Sequence, residues 1–364
     1  MSAHTMSTDI EIIDAHFHQW DPANTPHALR PLAKLLGWNP SLYHWAAKKA
    51  MPASLVSSLG GRVDHLCQPY LPQNYQRDIN GHNVIAGVCT PYSWQVKSEP
   101  ERAQETAYLH NLYASKPADV TVELGAIVGN AHLEKTDSLR GVLAAHQQAS
   151  PKFAGIRDMI DWSDDPALAH HAREKNIHKS KAWLQGMEIL AEHDLLFDAF
   201  VLHHQLHEFS ELAKQFPDTT MILSHAGTPV GVMGPYAGYG ETPEQRDRIL
   251  KEWQAGMARL AENPNVVVKL TGLFLAKLGW GLQYRKDAPT ATELVDRLQP
   301  LVDFVIEQFG VERCMFGSHF APDRTSISYS QLYDVYKQII QGRPLEHQQK
   351  LLADNARRVY RIKL

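Results

Sequence analysis

Two histidines one residue apart, His16 and His18, lie near the end of the apolar run IIDAHFHQW at residues 12–20. Alternate side chains of a strand share a face, so both imidazoles point the same way. Zinc and similar ions accept imidazole, and such a pair can deliver two ligands to one ion. The same pair can instead bind an anion or close a loop at a strand end. A third histidine, His225, ends the run TTMILSH and is followed by AGTP. A histidine there can serve as a ligand, an acid/base, or a donor to a carbonyl oxygen. It can equally cap local backbone. His203 and His204 follow LLFDAFVL. One of them faces the same site, and alternation does not decide which, because strand ends bend.

Charged residues inside apolar runs are the second signal, since a buried charge must be paired. Arg157 comes late in FAGIRDM, where its fixed fork of donors suits a substrate carboxylate or a polarised carbonyl. Asp158 is its candidate ion-pair partner. Asp198 stands within LLFDAFVL, Lys269 within VVVKLTG, and Glu123 within VELGA. Lys269 must reach solvent at a strand end or pair inside the fold. Glu123 faces inward or lies outward against a helix. The segment CMFGSHFAPDRTSISYS carries Ser318, His319, Asp323, Arg324 and Tyr329. His319 and Asp323 are the candidate general bases for water. The plain alternative for Asp323 is a pair with Arg324 or a helix cap. Serine chemistry is disfavoured, because Ser224 directly precedes His225 and no GxSxG elbow exists. GxGxxG and P-loop motifs are absent, which weakens nucleotide-dependent readings.

These residues need a scaffold that gathers strand ends. Strand candidates fall at 10–18, 83–89, 120–127, 153–160, 195–202, 219–225, 265–272 and 313–319. Between them lie segments with amphipathic helical spacing, among them TDSLRGVLAAHQQA and ELVDRLQPLVDFVIEQF. Eight strand–helix repeats predict a closed (β/α)8 TIM barrel, which keeps its chemistry at the C-terminal ends of the strands. An open doubly wound sheet would prefer a glycine-rich loop after the first strand, and HFHQWDP is not one. Residues 19–62 read as an insertion after strand one, with helical pieces near 27–37 and 54–61, covering the pocket within a single domain of residues 1–364. Trp20, Tyr43, His44 and Trp45 are its candidate pocket aromatics.

The net charge of −4 gives no reason to expect a nucleic-acid partner. Three isolated cysteines argue against a disulfide framework and fit a reducing cytoplasm. The first nine residues lack a signal pattern, and no apolar stretch approaches a membrane span. A homodimer is the expectation for a chain of this kind.

On these motifs the chain resembles the amidohydrolase superfamily, in its amidohydrolase-related branch of predicted TIM-barrel metal-dependent hydrolases. The resemblance rests on DAHFH at 14–18, KFAGIRD at 152–158, PDTTMILSHAG at 217–227, NVVVKLTGL at 265–273 and RCMFGSHF at 313–320. That branch includes sugar-acid lactonases, a pyrone-dicarboxylate lactonase and related decarboxylases. The resemblance implies a ligand set of His16, His18, His203 or His204, and His225, holding one divalent metal ion, zinc or manganese. It also implies an aspartate after strand eight as proton acceptor, and here that position is His319. His319 then substitutes as ligand or base. Alternatively the protein works without metal, with His225 and Arg157 polarising the carbonyl and His16, His18 or Asp323 positioning water. The expected activity is hydrolysis of a small-molecule lactone or related cyclic ester or amide, with Arg157 holding a substrate carboxylate. A metal-dependent non-oxidative decarboxylase and a catalytically inactive binding homologue are the alternatives.

Overall fold

The computed structural model describes residues 10–92 and 94–364, so the expectation about the first nine residues lies outside the described chain. Eight parallel strands follow one another around a single sheet: β1 Ile12–Phe17, β2 Val84–Cys89, β3 Glu123–Asn130, β4 Phe153–Arg157, β5 Leu196–Ala199, β6 Met221–Leu223, β7 Val266–Leu270 and β8 Cys314–Phe316. All eight predicted strands exist, several of them shorter than expected. The seam between first and last strands is closed by chain just beyond β8. The His319 N–H donates to the His16 carbonyl at 2.7 Å, and the His18 N–H donates to the Phe320 carbonyl at 2.8 Å. This is the (β/α)8 barrel predicted from the strand–helix alternation.

The β1–β2 connection is the long one. It carries α1 Arg30–Leu36, α2 Pro40–Ala50 and α3 Ala53–Ser58, then α4 Pro72–Asp78. Proline in the first turn opens α1, α2 and α4, where its missing N–H costs nothing. The barrel helices are α5 Ala103–Ala114, α6 Thr136–Ala149, α7 Lys181–Glu192, α8 Leu206–Gln215, α9 Pro243–Ala261, α10 Ala291–Phe309 and α11 Tyr329–Ile340. Each buries one apolar stripe on the sheet. In α7 that stripe is Trp183, Met187 and Leu190, and the Ser180 side chain caps the helix by accepting from the Trp183 N–H.

Strand alternation sorts side chains into two cores. Phe197, Leu223, Val268 and Phe316 pack outward with the helices. Leu196, Ile222, Val267 and Met315 point inward and meet Ala353, Ala356, Val359, Tyr360 and Ile362 from the C-terminal segment. That segment therefore plugs the end of the barrel opposite the strands' C-termini. The same alternation places Asp198 two residues after Leu196 and Lys269 two residues after Val267, both fully buried inside the barrel. Lys269 sits 5.4 Å over the Tyr360 ring of the plug. No helix among the described residues is long and apolar enough to cross a membrane.

Candidate active site

At the C-terminal end of β1, His16 and His18 are buried with their Nε2 atoms 3.2 Å apart. Thr90, just past β2, holds both rings. Its hydroxyl is 2.9 Å from His16 Nε2 and 3.1 Å from His18 Nδ1. His225 leaves β6 on an unusual turn in which His225, Ala226, Gly227 and Thr228 all have positive φ. Left-handed backbone is costly for residues with a Cβ, and such strain concentrates at functional sites. The turn swings the imidazole inward against Thr271, whose hydroxyl lies 2.8 Å from His225 Nδ1. Gly272 permits this approach, because a Cβ there would stand 2.5 Å from His225 Nδ1. His319 also has positive φ, and its Nδ1 is 2.8 Å from Asp323 Oδ1. Thus the closure seam delivers His16, His18 and His319 together. Asp14 secures that seam, accepting from the Ser318 N–H at 2.7 Å, the Ser318 hydroxyl at 2.6 Å and the Tyr75 hydroxyl at 2.8 Å.

His16, His225 and His319 converge, with one ring nitrogen from each lying within 4.8 Å of the others. This cluster is able to coordinate a divalent metal ion. Its surroundings supply the usual outer support for such ligands: Asp323 behind His319 and Thr271 behind His225 each engage the other ring nitrogen. Two cations flank the cluster. Arg157 Nη1 is 3.1 Å from His16 Nε2 and its Nη2 is 3.4 Å from His225 Nε2. Lys269 Nζ is 3.4 Å from His16 Nδ1.

These cations share one carboxylate. Asp198 accepts from Lys269 at 2.5 Å, from the Ser224 hydroxyl at 2.8 Å, and lies 3.5 Å from Arg157 Nε. Arg157, Asp198 and Lys269 together carry one net positive charge under the imidazoles. Burial, joined by Lys269 and Arg157, holds His16 well below the ordinary histidine range, and burial with His319 and Arg157 does the same for His225. Burial and Arg157 push His319 down to about 3. Burial raises the Asp323 carboxyl well above its ordinary range. The short His319–Asp323 contact would read as an ion pair from distance alone. Burial, however, disfavours the charged form of each partner.

Above the cluster opens a cavity of about 570 Å³. His18, Arg157, His225, His319 and Asp323 line its floor; His16 lies beneath. Its walls are mostly apolar and include Met51, Leu55 and Leu59 from the β1–β2 connection, and Tyr92, Trp94, Phe200 and Phe274. Among the expected aromatics, Trp20 and Tyr43 are buried and Trp45 is exposed; none of these nor His44 lines the cavity.

His203 is not brought to the cluster. β5 ends at Ala199, and the apolar residues after it belong to the loop, so His203 turns away. Its Nδ1 accepts from the Val230 N–H at 3.3 Å, and its Nε2 lies 3.9 Å from Glu252. His204 approaches the Trp162 carbonyl instead. Phe200 lines the cavity where the strand-five histidine was expected, and His319 completes the trio. Asp158 pairs with Arg173 at 2.8 Å rather than with Arg157, and Arg324 pairs with Asp78 rather than Asp323. Glu123 is exposed at the start of β3, 2.6 Å from Lys116. Thr90, Thr271, Glu105, His171 and Lys277 went unmarked in the sequence. Only Lys277 had a signal, as a lone charge in the run LFLAKLGW.

The barrel with its histidine cluster at the strand ends defines a superfamily, and the family comparison agrees. The chain belongs to the amidohydrolase family, whose model matches residues 13–362. It is 27% identical to the uncharacterized protein y4mH of Sinorhizobium fredii, over 98% of this chain and 100% of that one. It is 29% identical to an L-fucono-1,5-lactonase of Burkholderia ambifaria, over 63% of this chain and 64% of that enzyme. An amidohydrolase from Burkholderia multivorans shares the fold in two crystal forms. The form with bound HEPES gives a TM-score of 0.70 at 20% identity, covering 97% of this chain and 99% of that one. The form with bound zinc gives 0.67 at 19% identity with the same coverage.

Proposed function

We propose that this protein hydrolyses a small-molecule lactone, or a related cyclic ester or amide, that carries a carboxylate. The observation that carries the reading is the convergence of neutral imidazoles on a buried group with net positive charge, at the floor of a mostly apolar cavity. Neutral imidazoles can accept protons, and fixed cations stabilise an anion as it forms. The partial match to an L-fucono-1,5-lactonase supports the lactone class.

In this reading Arg157 binds the substrate carboxylate with the face of its guanidinium fork not committed to His16 and His225. Water enters between His18 and His319. His319 takes its proton at Nε2 while Asp323 steadies Nδ1. The water oxygen bonds to the carbonyl carbon, and the oxyanion forms beside His225, where the Arg157 guanidinium stabilises it. Collapse breaks the ring C–O bond, and the proton held by His319 passes to the leaving oxygen, giving an open hydroxy acid. One divalent ion, zinc or manganese, would be held by His16, His225 and His319, where it would polarise the carbonyl and acidify water. With those three nitrogens so engaged, His18 and Asp323 remain for proton transfer.

A panel of carboxylated five- and six-membered lactones, followed by pH-stat titration, tests the proposal. Acid release that disappears in His319→Asn supports it. Carbon dioxide release from aromatic carboxylic acids, without lactone opening, would replace it with decarboxylation.

A further inference from the structure

The same cavity is lined by a second polar group that the proposed reaction leaves unused. Lys277, which follows β7, lines the cavity yet is only 3% exposed. Its ammonium donates to the Ala169 carbonyl at 2.8 Å. Among the described residues no carboxylate comes within 4.0 Å of it. A lysine has three donors, and a buried ammonium with one neutral acceptor is incompletely satisfied. Beside it, His171 also lines the cavity, held through Nδ1 by the buried Asp161 at 2.8 Å. That bond leaves His171 Nε2 as the atom to meet a ligand.

Phe200 links this group to the catalytic floor. Lys277 Nζ lies 5.2 Å from the Phe200 ring centre, and the Arg157 guanidinium carbon lies 5.9 Å from it. The two cations are therefore no further apart than the sum of those distances, and both approach the same apolar ring. A compact molecule with acid groups at both ends and a hydrocarbon middle matches that pattern.

We infer that Lys277, with His171, is a second anion subsite, and that the substrate is a compact diacid lactone bound between Lys277 and Arg157. This rests on the hydrolase reading for the word lactone, and only on geometry for the two acid groups. Lys277 is thus a specificity-determining residue, and it takes no part in the proton transfers.

Isothermal titration of glutarate and butyrate into the full-length protein tests the subsite without requiring turnover. Glutarate is expected to bind at least about tenfold tighter than butyrate, since a charge-assisted hydrogen bond is gained at the second end. Lys277→Met is expected to erase that preference, and Lys277→Arg to keep it. Equal binding of the two acids by the wild type, or a preference that survives Lys277→Met, would overturn the inference. The wild-type comparison decides by itself if the Met variant misfolds. A protein that prefers glutarate but opens no lactone would retire the hydrolase reading and leave this one. A protein that opens monoacid lactones with no diacid preference would do the reverse.

Discussion

Asp198 is the carboxylate that two buried cations share, so its removal has a calculable consequence. Asp198→Asn keeps the volume but leaves Lys269, 0% exposed, without its 2.5 Å partner, and weakens the hold on Arg157. Breaking a buried pair from one side costs roughly 3 to 5 kcal/mol. With an unfolding entropy of about 2.1 cal/mol/K per residue, that loss lowers Tm by roughly 4 to 7 °C for a chain of this length. The penalty has a definite pH trend. Burial already lowers the Lys269 pKa below 10.5, and losing Asp198 lowers it further. The folded variant then binds fewer protons than the unfolded chain, so its stability rises with pH and the penalty is larger at pH 6 than at pH 9. Adding Lys269→Met removes the stranded ammonium, and an apolar replacement of a buried pair is close to neutral. Differential scanning calorimetry of wild type, single and double variants at both pH values reads all three expectations. A single variant that melts with the wild type, or a double variant no better than the single, would refute the reasoning.

Elemental analysis of protein purified without added metal or chelator is expected to find about one zinc or manganese ion per chain, lost in both His16→Asn and His225→Asn; His203→Asn is expected to retain it. His319→Asn is expected to lower kcat by roughly 10²- to 10⁴-fold with little change in KM, as measured by pH-stat titration. Glu105 lines the cavity, and burial pushes its carboxyl up to about 7, against one hydrogen bond from the Tyr92 N–H at 2.8 Å. Its raised folded pKa means stability falls as pH climbs from the unfolded value to about 7 and stays reduced above that. Glu105→Gln is therefore expected to gain up to about 3 kcal/mol over wild type at pH 8, with no gain at pH 4, in urea melts.

The sequence by itself determined the barrel and half of its site. Strand alternation has a period of two whatever surrounds it, so His16 and His18 were legible as a pair, and eight apolar runs separated by amphipathic helices left little choice of sheet. Arg157, Asp198 and Lys269 announced themselves because a charge in an apolar run must find a partner. Which partner it finds is not written locally. Asp198 and Lys269 meet across strands 71 residues apart, and Arg157 joins them rather than its neighbour Asp158. His203 shows the limit from the other side. Its position beyond LLFDAFVL looked like a strand end, but the strand stops at Ala199 and tertiary packing takes the rest into a loop. His319 enters the trio only because the chain past β8 pairs with β1, a contact between residues about three hundred positions apart. The sizes and locations of the charges are local properties of the chain. Their pairing, their desolvation and the shape of the cavity above them arise only when the barrel closes.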